Sequence, residues 1–242
     1  MYLILDIGNT RSKWAVYSPE GMLCASDFFQ NDNLDIFITL KKEWNITHSM
    51  LAASGKAPAE LVYFLETNTH FFKPKPTEKL PFRNLYESPE TLGHDRLAIA
   101  VCAFYQYPKQ NCLCLSAGTC ITYDLLTASG DYLGGGISPG IDMRLRAMAH
   151  FTDKLPKIEV DFEENIFIGK NTTQALRFGA QEAALMEIEG AIARYSSVYL
   201  NLNVLITGGD RLFFENRLKS KIFATENFVF YGLYKLLCFY VK

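Results

Sequence analysis

The chain has 242 residues, 49% of them apolar and 21% charged, with a formal net charge of −2. This is an ordinary globular balance, with enough chain to bury a sizeable core in one large domain or two modest ones. It excludes a global basic field that would attract nucleic acid or an anionic membrane, and short basic runs such as Lys73-Pro74-Lys75 read as solvated surface.

The apolar stretch over residues 228–241 contains Lys235 and is shorter than the roughly 20 residues a spanning helix needs. Asp6 interrupts the apolar start and no basic segment precedes it, so it does not read as a signal peptide. A cytoplasmic protein with no membrane or nucleic-acid partner is expected. Cys24, Cys102, Cys112, Cys114, Cys120 and Cys238 show no CxxC spacing, and several lie inside apolar runs. That favours structural thiols in a reducing compartment over disulfides or zinc.

Residues 2–5 form a short apolar run of the kind a buried strand makes, and Asp6-Ile7-Gly8-Asn9-Thr10 breaks it with turn residues. Residues 13–17 and 22–29 read as further strands, so a β-meander opens the chain. Helices are predicted over 34–44 and 58–69, with a strand over 50–53 between them. Ser88-Pro89-Glu90 offers an N-cap followed by proline at the first helical position, which predicts a helix from there to about residue 107. Then the pattern restarts. Residues 112–115 are a buried strand, Ser116-Ala117-Gly118-Thr119 a turn, and 120–126 and 130–136 two more strands. Helices follow over 139–150 and 172–195, then a strand over 203–206 ending on Thr207-Gly208-Gly209-Asp210, and helices over 211–218 and 227–240.

The restart predicts a duplicated α/β architecture, with domains over residues 1–110 and 111–242. Ligands of such folds bind where the loops of two sheets converge, so a cleft between the halves is expected.

Four segments could carry chemistry. In Asp6-Ile7-Gly8-Asn9-Thr10, backbone N–H groups and the Thr10 hydroxyl could hold phosphate oxygens, and a carboxylate at a strand end can position Mg²⁺; Lys13 is near enough in sequence to assist. The plain alternative is a hairpin in which Asp6 satisfies its own turn. Ser116-Ala117-Gly118-Thr119 is the counterpart in the second half, and two such turns would clamp a polyphosphate. Gly208-Gly209 would let an adenine ring or its ribose approach closely, or would merely let a helix pack on the sheet. In Gly93-His94-Asp95-Arg96, Asp95 could act as a general base on an alcohol and Arg96 as a fork for a carboxylate or phosphate; the alternative is a salt-linked pair on a solvated helix face, with His94 a packing or surface residue. Asn171-Thr172 has the form of a helix N-cap, and Tyr86 could be core. There is no GxxxxGK[ST], protein-kinase signature, GxGxxG, HExxH or paired-cysteine metal site.

Together, and in this order along the chain, these residues resemble the type III pantothenate kinases, a family of the actin, sugar kinase and Hsp70 superfold of duplicated ribonuclease H-like domains. Asp6, Ile7, Gly8, Asn9, Thr10, Arg11, Ser12 and Lys13 look like the first phosphate motif. Gly93, Asp95 and Arg96 are similar to the GxDR motif, the most specific of the set, whose aspartate is the base and whose surroundings, with His94 here, bind pantothenate. Gly118-Thr119 resembles the second phosphate motif, in which Thr119 would contact ATP, and Gly208 and Gly209 the adenosine motif. Tyr86 and Thr172 match positions that touch pantothenate, Thr172 across a homodimer interface.

The resemblance implies ATP-dependent phosphorylation of pantothenate to 4′-phosphopantothenate, the first step of coenzyme A biosynthesis, with Asp95 and Asp6 catalytic and Mg²⁺ placed by Asp6. One residue departs from the pattern. The family's DxGT aspartate, which helps hold K⁺ or NH₄⁺, is replaced by Ser116, a poorer ligand, so the monovalent cation is in question; Asp124 is offset and reads as structural. The alternatives are another small-molecule kinase of the superfold, or a weakly catalytic or non-catalytic regulatory relative akin to Bvg accessory factor.

Overall fold

The computed structural model describes residues 1–8, 12–30, 35–225 and 227–242. The chain divides into two compact units, one of Met1–Pro108 with Gly130–Tyr132 and Asn227–Lys242, the other of Lys109–Ser129 with Leu133–Glu226.

The first unit is built on β1 (Tyr2–Ile7), β2 (Ser12–Tyr17), β3 (Leu23–Phe29), β4 (His48–Ala53) and β5 (His70–Phe72), ordered β3-β2-β1-β4-β5. β1 is antiparallel to β2 and parallel to β4. Alternate residues of β1 serve different faces, as the period of a strand requires. Leu3, Leu5 and Ile7 enter a core with Trp14, Val16, Phe37 and Leu40 of α1 (Asp35–Trp44), and Leu61 and Leu65 of α2 (Ala59–Asn68). Ile4 and Asp6 therefore point to the opposite face.

On that side the strands meet α3 (His94–Gln106) and α8 (Phe228–Val241), which also pack on each other. Residues 96–103 of α3 are all buried, consistent with a helix apolar around most of its circumference. A Cβ on Gly232 would stand 1.8 Å from the Ala98 carbonyl oxygen, so α8 crosses α3 with backbones touching, which only glycine permits.

The helix predicted from Ser88 starts later. Pro89–Thr91 is a single 3₁₀ turn, Leu92 and Gly93 are extended with ψ of 122° and 137°, and α3 begins at His94. A short strand, β6 (Arg83–Asn84), also precedes it.

The second unit holds β7 (Cys112–Ala117), β8 (Cys120–Leu126), β9 (Asp131–Pro139) from residue 133 onward, β10 (Asn203–Thr207) and β11 (Ile222–Ala224), ordered β11-β10-β7-β8-β9. β9-β8-β7-β10-β11 repeats the order of β3-β2-β1-β4-β5, and β7 is antiparallel to β8 and parallel to β10 as β1 is to β2 and β4. The duplication read from the sequence is thus present in the topology. Leu113, Leu115, Ala117, Ile121 and Tyr123 face a core with Ile141 and Leu145 of α4 (Ile141–His150), Leu176 of α5 (Thr172–Arg177), and Ala184, Ile188 and Ile192 of α6 (Ala183–Ser196). The helix predicted over 172–195 is α5, a π-helical turn at Phe178–Glu182, and α6. The last helix of this unit, α7 (Arg211–Glu215), is shorter than predicted. All six cysteines are free, and no helix among the described residues is long and apolar enough to cross a membrane.

Candidate active site

In the first unit Asp6 lies one residue before the end of β1, opposite Lys13 of β2 and Ala52 of β4. The strand pairing runs up to Ile7 opposite Ser12; Asn9, Thr10 and Arg11, expected ATP ligands, lie outside the described residues. The Ile7 carbonyl accepts the N–H groups of Ser54 at 3.0 Å and Gly55 at 3.2 Å, which ties the strand end to the turn after β4.

His94, the first residue of α3, accepts the Ala53 N–H on Nδ1 at 3.3 Å. Ala53 is the register partner of Ile7, so this bond sets the start of α3 beside the end of β1. Burial, the largest cause, holds the His94 pKa below its ordinary value against the opposing charge of Asp95, and the bond accepted from the Ala53 N–H needs the neutral ring.

Asp95 follows at the second helical position, where a negative charge meets the positive end of the helix. Its Oδ1 accepts the Arg96 N–H at 2.9 Å. It also folds back so far that a Cβ on Gly93 would stand 2.6 Å from it, so a side chain there would push the carboxylate from its place. Burial, and next the charge of Asp95, push the Asp6 carboxyl up to about 6, with Lys13 opposing. Two carboxylates therefore act on each other at this point. Arg96 is 4% exposed, and its guanidinium carbon lies 5.3 Å from the centroid of the Tyr86 ring. The structure thus brings together Tyr86, Gly93, His94, Asp95, Arg96 and Asp6, and Asp95 sits in the first turn of a buried helix rather than on a solvated face.

In the second unit Ser116 occupies the corresponding place in β7, opposite Thr122 of β8 and Thr207 of β10. Cross-strand partners share a face, so three hydroxyl side chains form one row. Asp124 lies on the same face one row back, opposite Cys114, and is buried. A neutral row of this kind is a weak donor set for the cation that an acid at position 116 would hold.

Beyond it, the exposed Thr119 accepts the Gly140 N–H on its carbonyl at 3.1 Å. Gly208 has φ of +102°, and a Cβ there would stand 2.1 Å from the Ala117 oxygen. Gly209 has open space where a Cβ would go, and a Cβ on Gly118 would meet the Gly209 nitrogen at 3.9 Å. The Gly118-Thr119 and Gly208-Gly209 turns therefore lie side by side with bare backbone between them. Next to them, burial and then the charge of Asp142 push the Asp210 carboxyl up to about 6. Thr172 stands exposed as the first residue of α5, whose N-cap Asn171 accepts the Gln174 N–H at 2.9 Å.

Sequence patterns do not single out Asp142, Gly140, Arg144 or Glu187. The Gly134-Gly135-Gly136-Ile137-Ser138-Pro139-Gly140 run is the signal that could have pointed to this region. A Cβ on Gly140 would stand 1.9 Å from the Gly118 oxygen, so that glycine is as constrained as Gly208.

The twice-repeated sheet order and the paired strand-end turns define an actin-like ATPase or sugar kinase fold. A Campylobacter jejuni structure described as a Baf family transcriptional activator matches with a TM-score of 0.63 over 99% of this chain and 98% of its own, at 22% identity. The Clostridium difficile activator of 2-hydroxyisocaproyl-CoA dehydratase, solved with ADPNP, matches with a TM-score of 0.57 over 98% and 93%, at 11% identity. At such identities the likeness shows the fold alone. Residues 2–194 match the family model for type III pantothenate kinase. The type III pantothenate kinase of Flavobacterium johnsoniae is 38% identical over 236 residues, covering 96% of each chain. The chain belongs to the type III pantothenate kinase family.

Proposed function

We propose that this protein transfers the γ-phosphoryl group of ATP to the hydroxyl of pantothenate, giving 4′-phosphopantothenate and ADP at the first step of coenzyme A biosynthesis. The observation that carries the reading is the placement of Asp95, in the first turn of a buried helix and within electrostatic reach of Asp6. As the hydroxyl oxygen bonds to the γ-phosphorus, the bond from phosphorus to the bridging oxygen breaks and ADP leaves. Asp95 accepts the hydroxyl proton. Such transfer depends on position and charge more than on covalent help from the protein.

Arg96, braced by the Tyr86 ring, pairs with the substrate carboxylate, and Gly93 and His94 shape the same pocket. Ile7, Gly8, Asn9, Thr10, Arg11, Ser12, Lys13 and Thr119 serve the phosphates, and Gly208 and Gly209 the adenosine. Two interacting carboxylates are a donor set suited to a divalent ion. Asp6 is the residue that would hold Mg²⁺, directly or through water, and the ion would supply positive charge to the phosphate oxygens. The neutral row at Ser116 supports weak dependence on K⁺ or NH₄⁺. We further read the protein as a cytoplasmic homodimer, in which the exposed Thr172 of one copy is available to the pantothenate pocket of the other.

The test is a coupled ADP-release assay with Mg-ATP. Release is expected to require pantothenate, and release that ignores pantothenate would sink the proposal.

A further inference from the structure

The second unit contains a polar cluster that the phosphoryl-transfer reading does not use. Glu187 of α6 accepts two hydroxyls on Oε1, from Tyr123 at 2.7 Å and from Ser138 at 2.5 Å, while its Oε2 accepts Nη2 of Arg144. Arg144, on α4, also donates from Nε to the Pro139 carbonyl at 2.8 Å and from Nη2 to Ser138 Oγ at 3.5 Å. Burial raises the Glu187 carboxyl, but the bonds from Ser138, Arg144 and Tyr123 outweigh it and the net pKa is lowered, so the charge pair is formed at neutral pH.

The cluster bears on the junction of β9 and α4 through three consecutive residues. Ser138 is held by Glu187, the Pro139 carbonyl by Arg144, and the Gly140 N–H bonds the Thr119 carbonyl at 3.1 Å. Gly140 lies against the Gly118 oxygen with no room for a Cβ. A shift of this junction therefore either presses on the Gly118-Thr119 turn or breaks the Gly140 bond that supports it. Fixed by a two-pronged guanidinium rather than by a single flexible contact, the junction is held in direction as well as in place.

We infer that Arg144 and Glu187 are positioning residues for the ATP phosphates, acting through Ser138-Pro139-Gly140 on the turn that carries Thr119. The inference rests on the reading that Thr119 contacts ATP, and it is independent of which alcohol is the acceptor.

The experiment compares Arg144→Met, Arg144→Lys, Ser138→Ala and Thr119→Ala in the full chain. It reads the Kd of a non-hydrolysable ATP analogue by calorimetry, the KM for pantothenate, and the thermal midpoint. Arg144→Met is expected to raise the analogue Kd by roughly five- to twentyfold with the KM for pantothenate within about twofold of the parent. Arg144→Lys restores the charge pair with Glu187 but not the fork, and should recover part of the loss. If Arg144→Met folds poorly, Ser138→Ala removes one prong and is expected to show the same split at smaller size. A lowered midpoint with unchanged analogue Kd in the Arg144 and Ser138 variants, while Thr119→Ala raises it, would overturn the positioning role and leave the reading of Thr119 intact. An unchanged Kd in Thr119→Ala would overturn that reading and the inference with it. Loss of pantothenate turnover in the parent, with analogue binding retained, would count against the acceptor alone.

Discussion

Asp6 and Ser116 are each the fifth of six residues in the central strand of their sheet, and the rows they belong to differ in charge. Across the first sheet the row reads Lys13, Asp6, Ala52, with Asp95 close enough to raise the Asp6 carboxyl. Across the second it reads Thr122, Ser116, Thr207, with no ionisable group. The two rows thus differ in charge, although in the second unit Asp210, raised by burial and by Asp142, stands just beyond the neutral row. Paired carboxylates are costly to keep in a protein interior unless a cation or a proton transfer uses them. Bare glycine turns beside neutral hydroxyls suit the holding of phosphate and base by backbone groups. On the proposed function the two halves would divide the work, with proton transfer and Mg²⁺ served from the first unit and the nucleotide held largely by the second.

The comparison can be broken most severely at Asp95. Asp95→Asn keeps the size of the side chain and removes the proton acceptor, so turnover should fall by roughly 10²-fold or more with ATP-analogue binding and thermal midpoint near those of the parent. Activity within a few-fold of the parent would remove Asp95 from its role and with it the claim that the charged end does the chemistry.

Asp6 gives the next largest effect, and its sign is opposite for stability and for activity. Its carboxyl is raised from 3.8 to about 6 in the folded protein, so ionisation opposes folding, and stability is lost as pH rises through about 6. Asp6→Asn should therefore gain on the order of 2 kcal/mol in urea unfolding at pH 8, with the gain shrinking toward zero near pH 4. The same variant should need more magnesium and turn over poorly. A loss of stability at pH 8 would show that Asp6 is a structural acid and not one kept at a cost for function.

The smallest effect is at Ser116, where the comparison is sharpened by making the two rows more alike. Activity of the parent should change by less than about twofold when KCl replaces tetramethylammonium chloride at constant ionic strength, whereas Ser116→Asp should gain several-fold in its response to K⁺. A parent that is inert without K⁺ would show that other oxygens hold the ion.

Much of this was legible in the sequence because glycine and strand-end acids mark geometry that few other residues allow. The restart at residue 112 gave both central strands, and Gly93-His94-Asp95-Arg96 gave the group around Asp95. The start of α3 was misplaced because Ser88-Pro89-Glu90 carries a genuine helix-start pattern that closes only one 3₁₀ turn. The seat of Asp95 over Gly93 depends on that later start, and side-chain geometry of this kind leaves no periodic trace. β5 and β11, at three residues each, are too short to show a period of two. The placement of α8 against α3 and β1 rests on contacts between segments more than a hundred residues apart, and the Arg144–Glu187 pair joins two helices across a separation of 43 residues. Spacing along the chain carries no record of either.

The most direct measurement is the product itself. The account predicts that the full chain, incubated with Mg-ATP and pantothenate, yields a species one phosphoryl group heavier than pantothenate by mass spectrometry, in equal amount to ADP and absent with Asp95→Asn. ATP consumed without that species, or the species formed equally by Asp95→Asn, would contradict it.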